Sequence, residues 1–125
     1  MGNENKKILI IDCDEMLLAA TKEFLKSKGY AVDTHEIAFG STSIINLFQP
    51  DLVLIDINMP GLSGDKLDYL IRFAETCRDI PIIFYSASGE DILKCAVTAH
   101  KVKGYITKGS FPELKTKVAC FLNPA

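Results

Sequence analysis

The chain has no long apolar run, no run of like charges and no pair of cysteines at metal-binding spacing, and each absence removes a class of protein. Its longest apolar stretches are a few residues, far below the roughly 20 that a membrane-spanning helix needs, and no basic segment leads into an apolar one as in a secretory signal. A cytoplasmic setting is expected. Lys and Arg number 14 against 16 Asp and Glu, so neither nucleic acid nor an anionic membrane is an expected partner of this segment. Cys13, Cys77, Cys95 and Cys120 form no CxxC pair and have no histidine at zinc-ligand spacing, which argues against a zinc site. Cys77, Cys95 and Cys120 fall in helical patterns, where a free cysteine is expected to pack as a small buried apolar residue. No linker, low-complexity segment or repeat interrupts the pattern, and 125 residues suit one domain with one core.

What is present is an alternation of two periodicities. Strand-sized apolar runs recur at Ile8–Ile11, Leu52–Ile55 and Ile82–Tyr85, with weaker ones at Tyr30–Val32 and Tyr105–Thr107. The three strongest are apolar at consecutive positions, the mark of parallel strands covered on both faces. Between them the period becomes helical. Leu17, Leu18, Phe24 and Leu25 share a stripe over Met16–Lys28, which Gly29 should stop in a left-handed conformation. Ile44, Ile45 and Phe48 mark a shorter helix ending before Pro50. Leu67, Leu70, Ile71, Ala74 and Cys77 mark a third, Ile92, Leu93, Ala96 and Val97 a fourth, and Leu114, Val118, Phe121 and Leu122 a fifth. Five β-α units with right-handed crossovers predict an α/β, flavodoxin-like doubly wound (βα)5 domain. Its five-stranded parallel sheet has the order 2-1-3-4-5, with helices on both faces. Ligands in such folds sit beyond the carboxyl ends of the strands, so the residues that follow each strand matter most.

Those residues are Asp12, Cys13 and Asp14 after the first strand, Asp56 with Asn58 after the third, Ser86 after the fourth and Lys108 after the fifth. Taken singly each is unremarkable: Asp14 reads as the N-cap of the first helix, Ser86 as a loop hydroxyl and Lys108 as a surface cation. Gathered at one sheet edge they describe a magnesium-dependent phosphoryl site, in which carboxylates take the metal and the cation and hydroxyl take phosphoryl oxygens. His35 and His100 lie away from the strand ends and read as surface residues.

The segment Asp56-Ile-Asn-Met-Pro-Gly-Leu-Ser-Gly64 resembles the D-x-x-M-P-x-x-x-G loop of the response regulator receiver domain. Ser86-Ala87 and Tyr105-Ile-Thr-Lys108 stand where that family has Thr/Ser-Ala and aromatic-x-x-Lys. The resemblance covers Lys6 to Leu122 within a single domain, 1–125. It implies a two-component signalling domain rather than an enzyme, one that assists only its own phosphorylation and dephosphorylation. Asp56 would accept a phosphoryl group from a sensor histidine kinase or phosphotransfer protein. Asp12, Asp56 and the backbone carbonyl of Asn58, with help from Asp14, would hold Mg²⁺, while Lys108 and Ser86 would contact the phosphoryl oxygens. Ser86 and Tyr105 would form the switch, acting on the face of the fourth helix, fifth strand and fifth helix. That face would engage a downstream protein target or a missing output domain. The chain ends just past the fifth helix, so either a stand-alone receiver or a domain of a longer regulator or hybrid kinase is expected.

Two positions depart from the family pattern. Gly109 follows Lys108 where proline is common, and Cys13 stands where the family usually has a second acid, which there is the direct metal ligand. A thiol with a reference pKa near 8.5 is a poor partner for a hard cation that wants oxygen. Mg²⁺ should therefore bind weakly, and two readings follow: a weakened but working site, or a phosphorylation-impaired pseudo-receiver that acts as a protein-binding module. Three rivals use the first loop differently. The D-x-D of Asp12 and Asp14 resembles the first motif of haloacid-dehalogenase-type phosphatases with Asp12 as nucleophile, but no acidic pair follows Lys108 and the Asp56 loop would go unexplained. A cysteine phosphatase needs C-x5-R, and Ala19 fills that position. A flavodoxin-type carrier of FMN needs a hydroxyl- and glycine-rich loop where this chain has acids.

Overall fold

The computed structural model describes residues 6–62 and 64–123; Ser63 of the Asp56 loop lies outside them, as do the ends of the expected 1–125 span. The chain runs β1 (Lys7–Ile11), α1 (Glu15–Ser27), β2 (Ala31–His35), α2 (Ser41–Phe48), β3 (Leu52–Ile55), α3 (Gly64–Arg78), β4 (Ile82–Ser86), α4 (Glu90–His100), β5 (Gly104–Thr107) and α5 (Phe111–Leu122). All pairings are parallel, in the order β2-β1-β3-β4-β5 expected from the sequence.

Successive side chains on a strand point to opposite faces, and this divides the core in two. Leu9, Ile11, Val53, Ile55, Ile82 and Phe84 pack beneath α2, α3 and α4 with Ile45, Leu70 and Leu93. Ile8, Ile10, Leu52, Leu54, Ile83 and Tyr85 pack beneath α1 and α5 with Leu18, Leu25, Leu114 and Val118. Both faces of β1, β3 and β4 are thus covered, which is why those segments read as unbroken apolar runs. Every residue of β3 and β4 is buried.

β2 is longer and more polar than its apolar signal. It extends through Asp33, Thr34 and His35, which pair with Leu9, Ile10 and Ile11. As the outer strand it needs no second apolar face, so ladder hydrogen bonds rather than burial carry its length. Gly29 closes α1 at φ 99, its N–H donating to Lys26 O at 3.0 Å, as the helix-stop reading required. The expectation of buried cysteines fails at two positions: Cys95 and Cys120 are exposed and Cys77 is half-buried. Leu93 anchors α4 and Val118 anchors α5, and a residue two positions along a helix turns about 200° from its anchor, toward solvent. Ile92, one position from Leu93, is likewise 58% exposed.

Arg78 fastens the far end of the sheet. At the last turn of α3 its guanidinium donates to Gln49 Oε1 (2.9 Å), Gln49 O (2.7 Å) and Pro50 O (2.9 Å), and lies 3.7 Å from Asp51. Asp51 in turn accepts from the Lys7 N–H at 2.8 Å, tying the corner to the start of β1. Arg78→Ala should therefore lower the unfolding free energy by about 1–3 kcal/mol, read as a lower urea midpoint with an unchanged slope.

Candidate functional site

Three strand ends converge at the carboxyl edge of the sheet. The Asp12 N–H donates to His35 O at 3.1 Å and the Asp56 N–H to Ile11 O at 3.1 Å, so both acids are held by extensions of the parallel ladder. Lys108 is fixed in the same way, its N–H donating to Ser86 O at 2.9 Å. Its side chain crosses the sheet edge, placing Nζ 2.5 Å from Asp12 Oδ2 and 3.1 Å from Asp56 Oδ2. The side chains of Lys108, Asp12 and Asp56 are only 9%, 2% and 12% exposed. Burial alone would lower the lysine's pKa, but hydrogen bonds to Asp12 and Asp56, and the charges of both, outweigh it and raise the pKa above 10.5.

The first loop is built around Asp12. Its Oδ1 accepts from the Asp14 N–H at 3.0 Å, an Asx-type turn that swings the chain out of β1. Asp14 then caps α1, its Oδ1 accepting from Leu17 N–H at 3.2 Å. That carboxylate therefore serves the helix, as the bland reading expected. Cys13, at the apex of the turn, is exposed. Among the described residues no three His, Cys, Asp or Glu side chains converge as a metal-binding group.

On the other side of Asp56, the Asn58 N–H donates to Asp56 Oδ1 at 2.9 Å and the Asn58 amide donates to Ser88 Oγ at 3.0 Å and Ser86 Oγ at 3.5 Å. Ser86 is fully buried; its hydroxyl lies 3.3 Å from Ser88 Oγ and accepts from the Ser88 N–H at 3.2 Å. Ser88 was not among the residues expected at the site, although a second hydroxyl two positions after Ser86 was there to be read. Among the described residues no peptide bond is cis, so Lys108 to Gly109 is trans, and Gly109 adopts φ 119. Glycine meets that requirement without strain.

Tyr105 stands apart from this cluster. Its hydroxyl donates to Glu90 Oε1 at 3.2 Å and Lys117 Nζ lies 5.3 Å from its ring centroid, so α4, β5 and α5 meet at one aromatic side chain. Glu90 and Lys117 carried no signal in the sequence, because their contacts with Tyr105 are non-local. His35 corrects the expectation that both histidines lie away from the strand ends: it is the last residue of β2, its carbonyl accepting the Asp12 N–H, while its ring Nε2 lies 2.7 Å from Phe39 O. His100, at the end of α4, has Nδ1 2.7 Å from Asp68 Oδ1. His100 is more enclosed than a surface reading implied, its ring set edge-on to Phe84.

Comparison with known proteins places this geometry. Residues 8–119 match the family model described as the response regulator receiver domain. The chemotaxis protein CheY-3 of Vibrio cholerae is 34% identical, over 85% of this chain and 82% of its own. The phosphate regulon transcriptional regulatory protein PhoB of Rhizobium meliloti is 32% identical over 95% of this chain. This chain spans about half the length of that regulator, 53%. A CheY-like receiver domain structure from Methanospirillum hungatei, 26% identical, superposes with a TM-score of 0.79 over 95% of this chain and 94% of its own. With the sheet order, the strand-end cluster and the family match in agreement, the chain belongs to the response regulator receiver domains of two-component signalling.

Proposed function

We propose that Asp56 accepts a phosphoryl group from the phosphohistidine of a sensor histidine kinase or phosphotransfer protein. The supporting observation is the Lys108 ammonium bridging Asp12 and Asp56, with all three side chains largely shielded from solvent. One Asp56 carboxylate oxygen attacks phosphorus, the P–N bond breaks, and the imidazole leaves with that electron pair. The new acyl phosphate puts charge where Lys108 already supplies a cation, with the Ser86 hydroxyl to be drawn from its Ser88 and Asn58 partners.

Asp12 and Asp56, on adjacent strands, with the Asn58 carbonyl, suit a hard divalent cation, and Mg²⁺ commonly takes one or two carboxylates and keeps several waters. Bound there, Mg²⁺ would offset charge on the phosphoryl oxygens. Cys13 adds no oxygen and Asp14 is engaged as a cap, so the affinity should be low. The residues 6–122 act as one signalling unit in the cytoplasm, assisting only their own phosphorylation and dephosphorylation. Output passes through the Tyr105 face of α4, β5 and α5 to a protein target or an attached output domain, as Ser86 shifts toward the phosphoryl group and Tyr105 turns inward.

Incubation with acetyl phosphate and Mg²⁺ should add one phosphoryl mass to the native chain and none to Asp56→Asn, read by intact-mass spectrometry. A native chain that stays unmodified with saturating donor and high Mg²⁺ would sink the proposal. Cys13→Asp should tighten Mg²⁺ binding by roughly tenfold to a hundredfold, measured from amide shifts in an NMR titration. The raised pKa of Lys108 also carries a pH signature. Because its folded value exceeds its unfolded value, the lysine's stabilisation is full below 10.5 and is lost as pH rises through the folded value. The stability difference between the native chain and Lys108→Met, from urea titrations, should therefore be flat near neutrality and shrink only in that alkaline window.

A further inference from the structure

We propose that Tyr85 is a positioning residue for Lys108, its buried ring holding the ammonium over Asp12 and Asp56. Lys108 Nζ lies 5.7 Å from the Tyr85 ring centroid, within the range of a cation–π contact. Three other lysines lie near rings, over Phe48, Phe24 and Tyr105, but those rings are partly exposed. Tyr85 is 2% exposed, and Lys108 is the lysine whose charge is almost closed off from water. Such contacts gain strength when desolvated.

Geometry gives the ring its place. Alternation on β4 sends Phe84 toward α4 and Tyr85 beneath α1 and α5, where Leu18, Ile106 and Leu114 share its cluster. A ring packed in that way has little freedom to move. Burial raises the Tyr85 phenol's pKa against smaller opposing influences of Thr21 and the Lys108 charge, while the Asp12 charge adds to the rise. The phenol therefore stays neutral at physiological pH, and what it offers the ammonium is a π face rather than an anion. An ammonium has three N–H groups; two carboxylate oxygens lie within hydrogen-bonding distance of it, and the ring adds an electron-rich surface where solvent is nearly excluded. A lysine without that surface could swing toward water, and the charge awaiting the phosphoryl oxygens would no longer be fixed.

Two readouts test this, and only the rate readout rests on Asp56 being the acceptor. In chain labelled with ¹³C-lysine, the Lys108 ε-methylene protons, assigned by their loss in Lys108→Met, should be shifted upfield by the ring in the native protein and in Tyr85→Phe. They should return to ordinary lysine values in Tyr85→Leu and Tyr85→Met. The initial rate of Asp56 modification by acetyl phosphate should fall roughly fivefold to thirtyfold in the Leu and Met variants and recover in the Phe variant. Unshifted lysine protons in the native chain would overturn the proposal, as would Leu and Met variants as fast as the native, or a Phe variant as slow as they are. If no variant or native chain is modified, the acceptor reading fails, and the methylene shifts alone decide the role of Tyr85. If the Leu variant does not fold, judged by its amide spectrum, the Met variant carries both readouts.

Discussion

One ammonium group between two carboxylates governs this domain. Asp12 is almost wholly buried and Asp56 nearly so, and desolvating such charges costs several kcal/mol each unless they are paired and hydrogen-bonded. Lys108 meets that demand from the far side of β3 and β4, which no local turn could do. It can reach because β1 and β3 are neighbours at the switch point and β5 closes the row. Backbone bonds to His35, Ile11 and Ser86 fix the three strand ends. The sheet order is therefore a condition for the charge pairing, and the pairing in turn makes two buried acids tolerable at the sheet edge.

The charge count gives Cys13 its meaning. Two carboxylates and one ammonium leave a formal -1 at the strand ends; an acid at position 13 would make it -2. Coulomb energy at an effective dielectric of about 20 is about 4 kcal/mol for unit charges 4 Å apart and scales with charge, so at equal distance one missing carboxylate would weigh twice as heavily on a divalent cation as on the lysine. The exposed thiol leaves the Lys108 bridge to Asp12 and Asp56 intact, and at the proposed magnesium site it would weaken the attraction for the metal. A cluster so nearly balanced is well suited to rest with the lysine as its cation.

Much of this was legible in the sequence because it depends on period and punctuation. Consecutive apolar residues at Ile8–Ile11, Leu52–Ile55 and Ile82–Tyr85 specify doubly covered strands, and the polar residues just beyond them must lie at the sheet edge. That pattern alone places Asp12, Asp56, Ser86 and Lys108 at one sheet edge. What escaped were features set by helix rotation and by non-local contacts. The outward turn of Cys95 and Cys120 depends on which residue anchors each helix. The reach of β2 through His35 depends on its partner strand rather than on its own apolarity. The contact of Tyr85 with Lys108 joins two strands, and within β4 the tyrosine was indistinguishable from any other apolar residue.

The same backbone links join Ser86 to Tyr105, the two residues of the proposed switch. Ser86 O accepts from the Lys108 N–H, and Phe84 of β4 pairs with Tyr105 of β5 in the ladder. A displacement of the Ser86 loop would therefore act on a strand whose Tyr105 side chain, partly buried against the core, is held by one exposed hydrogen bond to Glu90 and one lysine over its ring. Restraints of that kind contribute about 1 kcal/mol or less apiece. Reversing a 1:99 population takes about 5.5 kcal/mol of differential stabilisation, several times what one such restraint supplies. Under the proposed switch, the Tyr105 arrangement would therefore be easily tilted, and a full reversal would have to draw on the strong charges buried around Lys108.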